Sequence, residues 1–467
     1  MLFSSIPFLY YFLPCVFAVY FLVPMRWKNA VLLLASLFFY AWGEPKFVVF
    51  MLVSIVQGYV FGRLVEKYQA DRRRARLFLT LSVIFSLGLL GYCKYADFFL
   101  SGFNALTGLR LPLLHVALPI GISFYTFQIL SYVVDVYRGE VKAQRNFIDL
   151  AAYVAMFPQL IAGPIVRYAD IAAQLEQRTH TLSDIAAGAR RFVLGLGKKV
   201  LLANVFFELI TLFKASGEKA VLFYWLYAVA CVLNIYFDFS GYSDMAIGLG
   251  RIFGFRYLEN FDYPYISASI TEFWRRWHMS LGSWFRDYVY IPLGGNRVSK
   301  AKWLRNILVV WLLTGLWHGA AWNFVLWGLF FAVFLTAEKL WYGRALAKTH
   351  ILKHLYVLLL VIVSFVLFDA SSVRGAVSTI GGLFGAADVR AVDPASLYYL
   401  RSFAVVLLVG IVGATPLPKR AVEKLRATRA GSVAVDLFEP LVLVVILAVS
   451  TGYLVDGSFN PFLYFRF

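Results

Sequence analysis

Charge is what this 467-residue chain has least of: Asp, Glu, Lys and Arg make up 15% of it, where a soluble domain carries about 25%. That shortage, set against 61% hydrophobic residues, excludes an ordinary soluble globule. Cysteine is also rare. Cys15, Cys93 and Cys231 are far apart in apolar surroundings, which excludes a disulfide framework and a cysteine-based metal site. There is no P-loop, no Gly-rich dinucleotide turn, no Cys/His metal spacing and no nucleophile-elbow serine, so nucleotide-triphosphate, nicotinamide, zinc and α/β-hydrolase chemistry lose their usual signatures. Short alternating segments of the β-barrel kind are missing as well.

Long uncharged runs fill the space instead. Candidate spans fall at 1–24, 29–43, 47–62, 77–93, 115–134, 147–166, 190–212, 220–237, 240–255, 306–337, 355–373, 401–415 and 434–455. The class is therefore an all-α polytopic membrane protein with about 11–13 membrane helices, the shorter ones tilted or re-entrant. The first run lacks the basic start and small-residue exit of a cleaved signal, and is expected to be a retained span. No internal repeat or low-complexity linker interrupts the chain. The simplest organisation is one integral domain over 1–467: N-terminal helices (1–110), a core (115–337) holding an interfacial or re-entrant segment (256–305), and C-terminal helices (355–467).

The charges that exist lean positive. Lys plus Arg total 44 against 26 for Asp plus Glu. In a soluble protein this would suggest nucleic acid. Here basic cytoplasmic loops account for it, with membrane lipid as the natural partner and no nucleic acid expected. The loops Arg63–Arg76 and Pro418–Arg429 are read as cytoplasmic, which puts both termini outside.

A few polar groups sit where lipid is expected. His318 is the one ionisable side chain in "WLLTGLWHGAAWNFVLWGLFF" (Trp311–Phe331). The stretch without Asp, Glu, Lys or Arg runs about 32 residues between Arg305 and Glu338. As a helix that would be ~48 Å, too long for one crossing of a ~30 Å core. The chain is expected to turn inside it, with His318 near mid-depth and Gly315 and Gly319 leaving the backbone open to close approach. Asp238 and Asp244 are the charged residues between Lys219 and Arg251. Two readings stand: pairing with Arg275, Arg276 or Arg286, or building a site. The Gly and Ser residues between the two acids suggest a bend or break. Over Thr271–Tyr290 a helix is plausible, with Glu272 and Arg276 paired and Trp274, His278 and Leu281 along one side. "FPQLIAGPIVR" (Phe157–Arg167) reads as a broken helix beside a cavity, and Asp135 with Arg138 as the interfacial end of a span.

A deeply placed imidazole is favoured neutral, and neutral imidazole is a competent base for an alcohol. An alcohol attacking a thioester needs that proton removed. Chemistry alone stops at a buried base, a cavity and a basic inner face.

Five stretches occur in order: "LPIGISFYTFQILSYVVDVYRG", "FPQLIAGPIVR", "YFDFSGYSDMAIGLGRIFGF", "ENFDYPYISASITEFWRRWHMSLGSWFRDYVYIPLGGNR" and "GLWHGAAWNFVLWG". With the ending "NPFLYFRF" they resemble the membrane-bound O-acyltransferase superfamily, in its alginate and peptidoglycan O-acetyltransferase branch. The resemblance implies a helical fold around a central tunnel in the bacterial cytoplasmic membrane. It also implies acetyl transfer from a cytoplasmic thioester, acetyl-CoA, with no bound cofactor or metal. The acceptor would be an extracytoplasmic polysaccharide, with an SGNH-type acetyltransferase as partner. His318, in "WHGA", matches the expected catalytic residue and His278, in "RRWHMS", the second one. Arg275, Arg276 and Arg286 are candidates for the donor phosphates. Asp238, Asp244, Trp317 and Asn323 join them as candidate substrate or donor contacts. The related teichoic-acid D-alanylating branch, a polysaccharide or acyl transporter, and a non-catalytic scaffold are the competing readings.

Overall fold

The computed structural model describes residues 1–161, 163–386 and 389–457. The tail Asn460–Phe467 and Ala162 lie outside the described residues. Among those described, the regular structure is all helical. Seven helices are long and apolar enough to cross a membrane, and shorter apolar helices such as Pro7–Leu22 add to them. The most apolar window of the C-terminal helix Arg429–Val455 buries nothing against the protein, the behaviour of a helix whose solvent is lipid.

The chain folds as two compact units. The first takes Met1–Phe192 and Met245–Leu258. Its core is a phenylalanine cluster in which Phe12 meets Phe157 edge-on with centroids 5.3 Å apart, and Phe157 meets Phe253 at 5.8 Å. The expected break in "FPQLIAGPIVR" is present: Phe157–Leu160 is a single turn, and backbone without regular structure follows from 164 to 167. Side chains satisfy the freed groups. Ser36 Oγ accepts from the Phe157 amide at 3.0 Å, Gln159 Nε2 donates to the Tyr153 carbonyl at 2.6 Å, and Tyr153 donates to the Val166 carbonyl at 3.0 Å. Irregular backbone inside a membrane protein survives only with such partners.

The second unit takes Val193–Asp244 and Glu259–Phe467. At its centre the uncharged run folds back on itself. Lys300–His318 is one helix, Trp322–Ala337 the next, and 319–321 the turn between them. Glycines let the two arms touch. A Cβ on Gly315 would collide with the Phe324 carbonyl, and one on Gly328 with the Trp311 carbonyl. What approaches these glycines is the chain's own returning helix.

Two expectations fail. The acids at 238 and 244 lie on one continuous helix, Val221–Ile252, rather than at a bend. Its glycines serve contact instead: a Cβ on Gly241 would stand 2.7 Å from the Gly195 carbonyl, and one on Gly248 2.6 Å from the Gly188 carbonyl. The helix over Thr271–Tyr290, by contrast, is broken. Ile270–Arg276 ends, and Met279–Phe285 begins, on either side of His278, whose φ of 43° is left-handed.

Candidate active site

The short helix Ile270–Arg276 is pinned from both its own sequence and the hairpin. Ser269 Oγ caps it by accepting from the Glu272 amide at 3.0 Å. Glu338, buried at the end of the hairpin, accepts from the Ile270 amide at 2.6 Å and the Thr271 amide at 3.2 Å. A carboxylate on free helix-N-terminal amides satisfies both partners. The segment at 260–262 then lies alongside the helix end: the Asp262 amide donates to the Arg276 carbonyl at 2.9 Å and the Met279 amide to the Asn260 carbonyl at 3.0 Å. This pairing, with the left-handed turn, sets the direction of His278.

His278 is 1% exposed. Its Nδ1 lies 3.1 Å from Asn260 Oδ1. The same oxygen accepts from Ser280 Oγ at 2.9 Å and from the Ser280 amide at 3.3 Å, while Asn260 Nδ2 donates to Ser243 Oγ at 3.1 Å. The Ser280 amide can only donate, so the Asn260 oxygen faces the ring. His278 must then carry its proton on Nδ1. Nε2 is left with a lone pair and has no hydrogen-bond partner among the described residues.

His318 ends the first arm of the hairpin and is 7% exposed. Rings surround it: Trp317 at 5.0 Å, Trp327 at 5.1 Å and Phe368 at 5.3 Å, all edge-on. Trp317 also stands 5.7 Å from His278, so one indole touches both imidazoles. The fold thus brings together both histidines and Trp317, 40 residues apart along the chain in the case of the histidines (318 − 278).

The other candidates take different places. Arg276 pairs with Glu272 at 2.9 Å, as their spacing suggests, and with Asp262 at 2.9 Å. Arg286 pairs with its neighbour Asp287, and both Arg275 and Arg286 are exposed. Asp238 and Asp244 pair with lysines, Lys199 and Lys198, rather than with those arginines. Lys199 and Asp238 are each 2% exposed at the side chain, and a buried carboxylate takes the cation that the packed helix supplies. Asn323 donates to the Phe368 and Ala370 carbonyls at 3.3 and 3.0 Å, tying the second arm to the end of Leu352–Asp369. Sequence reasoning missed Asn260, although it lies inside the quoted "ENFDYP" stretch. It also missed Lys198 and Lys199, whose charges inside an apolar span matched the two unexplained acids.

Among known proteins, residues 139–378 match the profile of "MBOAT, membrane-bound O-acyltransferase family". A probable alginate O-acetylase of Azotobacter vinelandii is 40% identical over the whole of both chains. A peptidoglycan O-acetyltransferase of Helicobacter pylori is 34% identical over 82% of this chain and 80% of its own. A teichoic acid D-alanyltransferase of Bacillus subtilis is 33% identical over 46% of this chain and 58% of its own.

Proposed function

Because the chain belongs to the membrane-bound O-acyltransferase family and is thereby a multi-pass membrane acyltransferase, we propose that it moves an acetyl group from a cytoplasmic thioester, acetyl-CoA, to an extracytoplasmic polysaccharide. The membrane would be the bacterial cytoplasmic membrane, and the polymer alginate-like or peptidoglycan. The names of the relatives matched over most or all of the chain support acetyl over D-alanyl transfer.

The observation that carries this reading is the pair of imidazoles in one aromatic enclosure, one of them with its tautomer fixed. In the proposed step His318 takes the proton of the attacking hydroxyl. The hydroxyl oxygen bonds to the thioester carbonyl carbon, the C–S bond breaks, and the thiolate leaves with a proton returned by His318 directly or through His278 Nε2. The surrounding rings exclude bulk water and with it hydrolysis of the thioester. If the first acceptor is a hydroxyl of an SGNH-type partner, the same step loads that partner, which then acetylates the polymer.

The test is the O-acetyl content of cell-wall and exported polysaccharide, by mass spectrometry, in cells carrying His318→Ala at wild-type membrane abundance. Loss of acetyl is expected. Normal acetyl content would remove His318 as the base, and loss of D-alanyl esters instead would move the chain to the aminoacylating branch.

A further inference from the structure

The first unit holds a second cluster of polar groups, none of which belongs to the histidine site. Lys28 lies in the first turn of the helix Met25–Gly43, just beyond the apolar helix Pro7–Leu22, and is 8% exposed. Its Nζ donates to the Tyr20 carbonyl at 2.6 Å and lies 4.2 Å from the centre of the Tyr20 ring. Arg178 approaches the same tyrosine: Nε donates to Tyr20 Oη at 2.9 Å, and Nη1 donates to Asn29 Oδ1 at 2.8 Å. The guanidinium lies 4.5 Å from the centre of the Phe255 ring. Tyr20 gives its one hydroxyl proton to the Phe253 carbonyl at 2.7 Å. His180 Nε2, 2.9 Å from that hydroxyl, is therefore the donor in their contact.

Two cations and an imidazole thus converge on one buried tyrosine, and among the described residues none of the three pairs with a carboxylate. Among the described residues, Asp149 accepts from Asn29 rather than from a cation. The neighbouring Asp184 is engaged by Arg251 at 3.0 Å. Arg178 Nη2 is buried and has no hydrogen-bond partner among the described residues. Burial, and then the charge of Lys28, pushes the His180 imidazole below its ordinary value, the electrostatic mark of positive groups facing one another. Lys28 is buried and Arg178 and His180 are half-buried, so their mutual repulsion is only partly screened by water, and a bound anion would offset it. Exposed Phe21, Leu22 and Trp27 beside the cluster mark the water–lipid boundary, where aromatic residues concentrate.

We propose that Lys28, Arg178 and His180 form a phosphate-binding site at the membrane boundary of the first unit. Arginine and lysine on a phosphate make short charge-assisted hydrogen bonds, and Arg178 Nη2 is the donor still available for one. The phosphate belongs either to a phospholipid headgroup or to a soluble, nucleotide-type thioester donor, and both present the same chemistry. The site does not rest on the acyl acceptor or on the roles of the histidines.

The experiment uses the purified full chain, wild type and with Arg178→Gln or Lys28→Gln, each checked for an unchanged gel-filtration profile and melting temperature. Inorganic phosphate and coenzyme A are titrated by calorimetry in detergent. Phosphatidylglycerol retention against phosphatidylcholine is read by native mass spectrometry from nanodiscs of mixed composition. At least a fivefold loss of affinity or retention is expected in the variants. Loss for coenzyme A assigns the site to the soluble donor, and loss for phosphatidylglycerol assigns it to lipid. Lys28→Gln carries the test if Arg178→Gln does not fold. Wild-type protein that binds none of the three probes, or variants that bind all of them within twofold of wild type, would overturn the proposal.

Discussion

The two histidines of the second unit are held by different forces. The segment around His278 is joined by hydrogen bonds: Asn260 on the ring, Ser243 and Ser280 on Asn260, Glu338 on the helix before it. The hairpin around His318 is packed: glycine against carbonyl, ring edge against ring face. Hydrogen bonds are directional, so they fix which nitrogen carries the proton. Packing is not, so it fixes where the ring stands. The proton relay proposed above would need both properties, and here they come from two separate regions.

Removing the packed imidazole is the harshest test of that division: for the general base proposed above, His318→Ala should lower acyl transfer by roughly 10²–10⁴-fold, measured as acetyl released by mild alkali from the proposed polymer. The packing around it predicts that the protein still inserts and melts cooperatively. Asn260→Ala comes next: activity should fall by on the order of tenfold or more because the tautomer is no longer dictated. Sharpening comes from the double variant, in which His278→Ala should leave Asn260→Ala with nothing further to remove. Additive losses would place Asn260 outside the His278 arrangement.

For the packed region the corresponding change is Gly328→Val. It should destabilise the protein by about 1–3 kcal/mol through overpacking against Trp311, read as a lower melting temperature, with activity falling as the arms separate. Arg276→Gln should do least. Its pairs with Glu272 and Asp262 are partly exposed, so about 1 kcal/mol or less of stability is at stake, and transfer rates should stay within about twofold. A large rate loss there would restore Arg276 to the donor site that the sequence suggests.

The hairpin was legible in the sequence because a single physical limit forces it: about 32 uncharged residues cannot cross ~30 Å once as a helix. The break at "FPQLIAGPIVR" was legible for a related reason, two prolines and a glycine in one apolar run. The interruption at His278 was not, because "FWRRWHMSL" holds neither proline nor glycine to break a helix there. The tertiary pairing with Asn260 imposes it. The partners of Asp238 and Asp244 were hidden by a similar gap. Arg275 lies 37 residues from Asp238 (275 − 238) and Lys199 lies 39 (238 − 199), so distance along the chain does not choose between them, whereas helix packing delivers Lys198 and Lys199. Glycine misled in both directions, since the same residue that bends one helix lets another lie flush, as at Gly241.

The left-handed backbone at residue 278 leaves a trace that selection on catalysis and selection on robustness would write differently. Glycine adopts that geometry freely, whereas a side chain there costs about 1 kcal/mol. His278→Gly should therefore be an inert protein that outlasts His278→Ala on heating. A lineage that gave up acyl transfer and kept only the scaffold would be expected to drift toward glycine at this position.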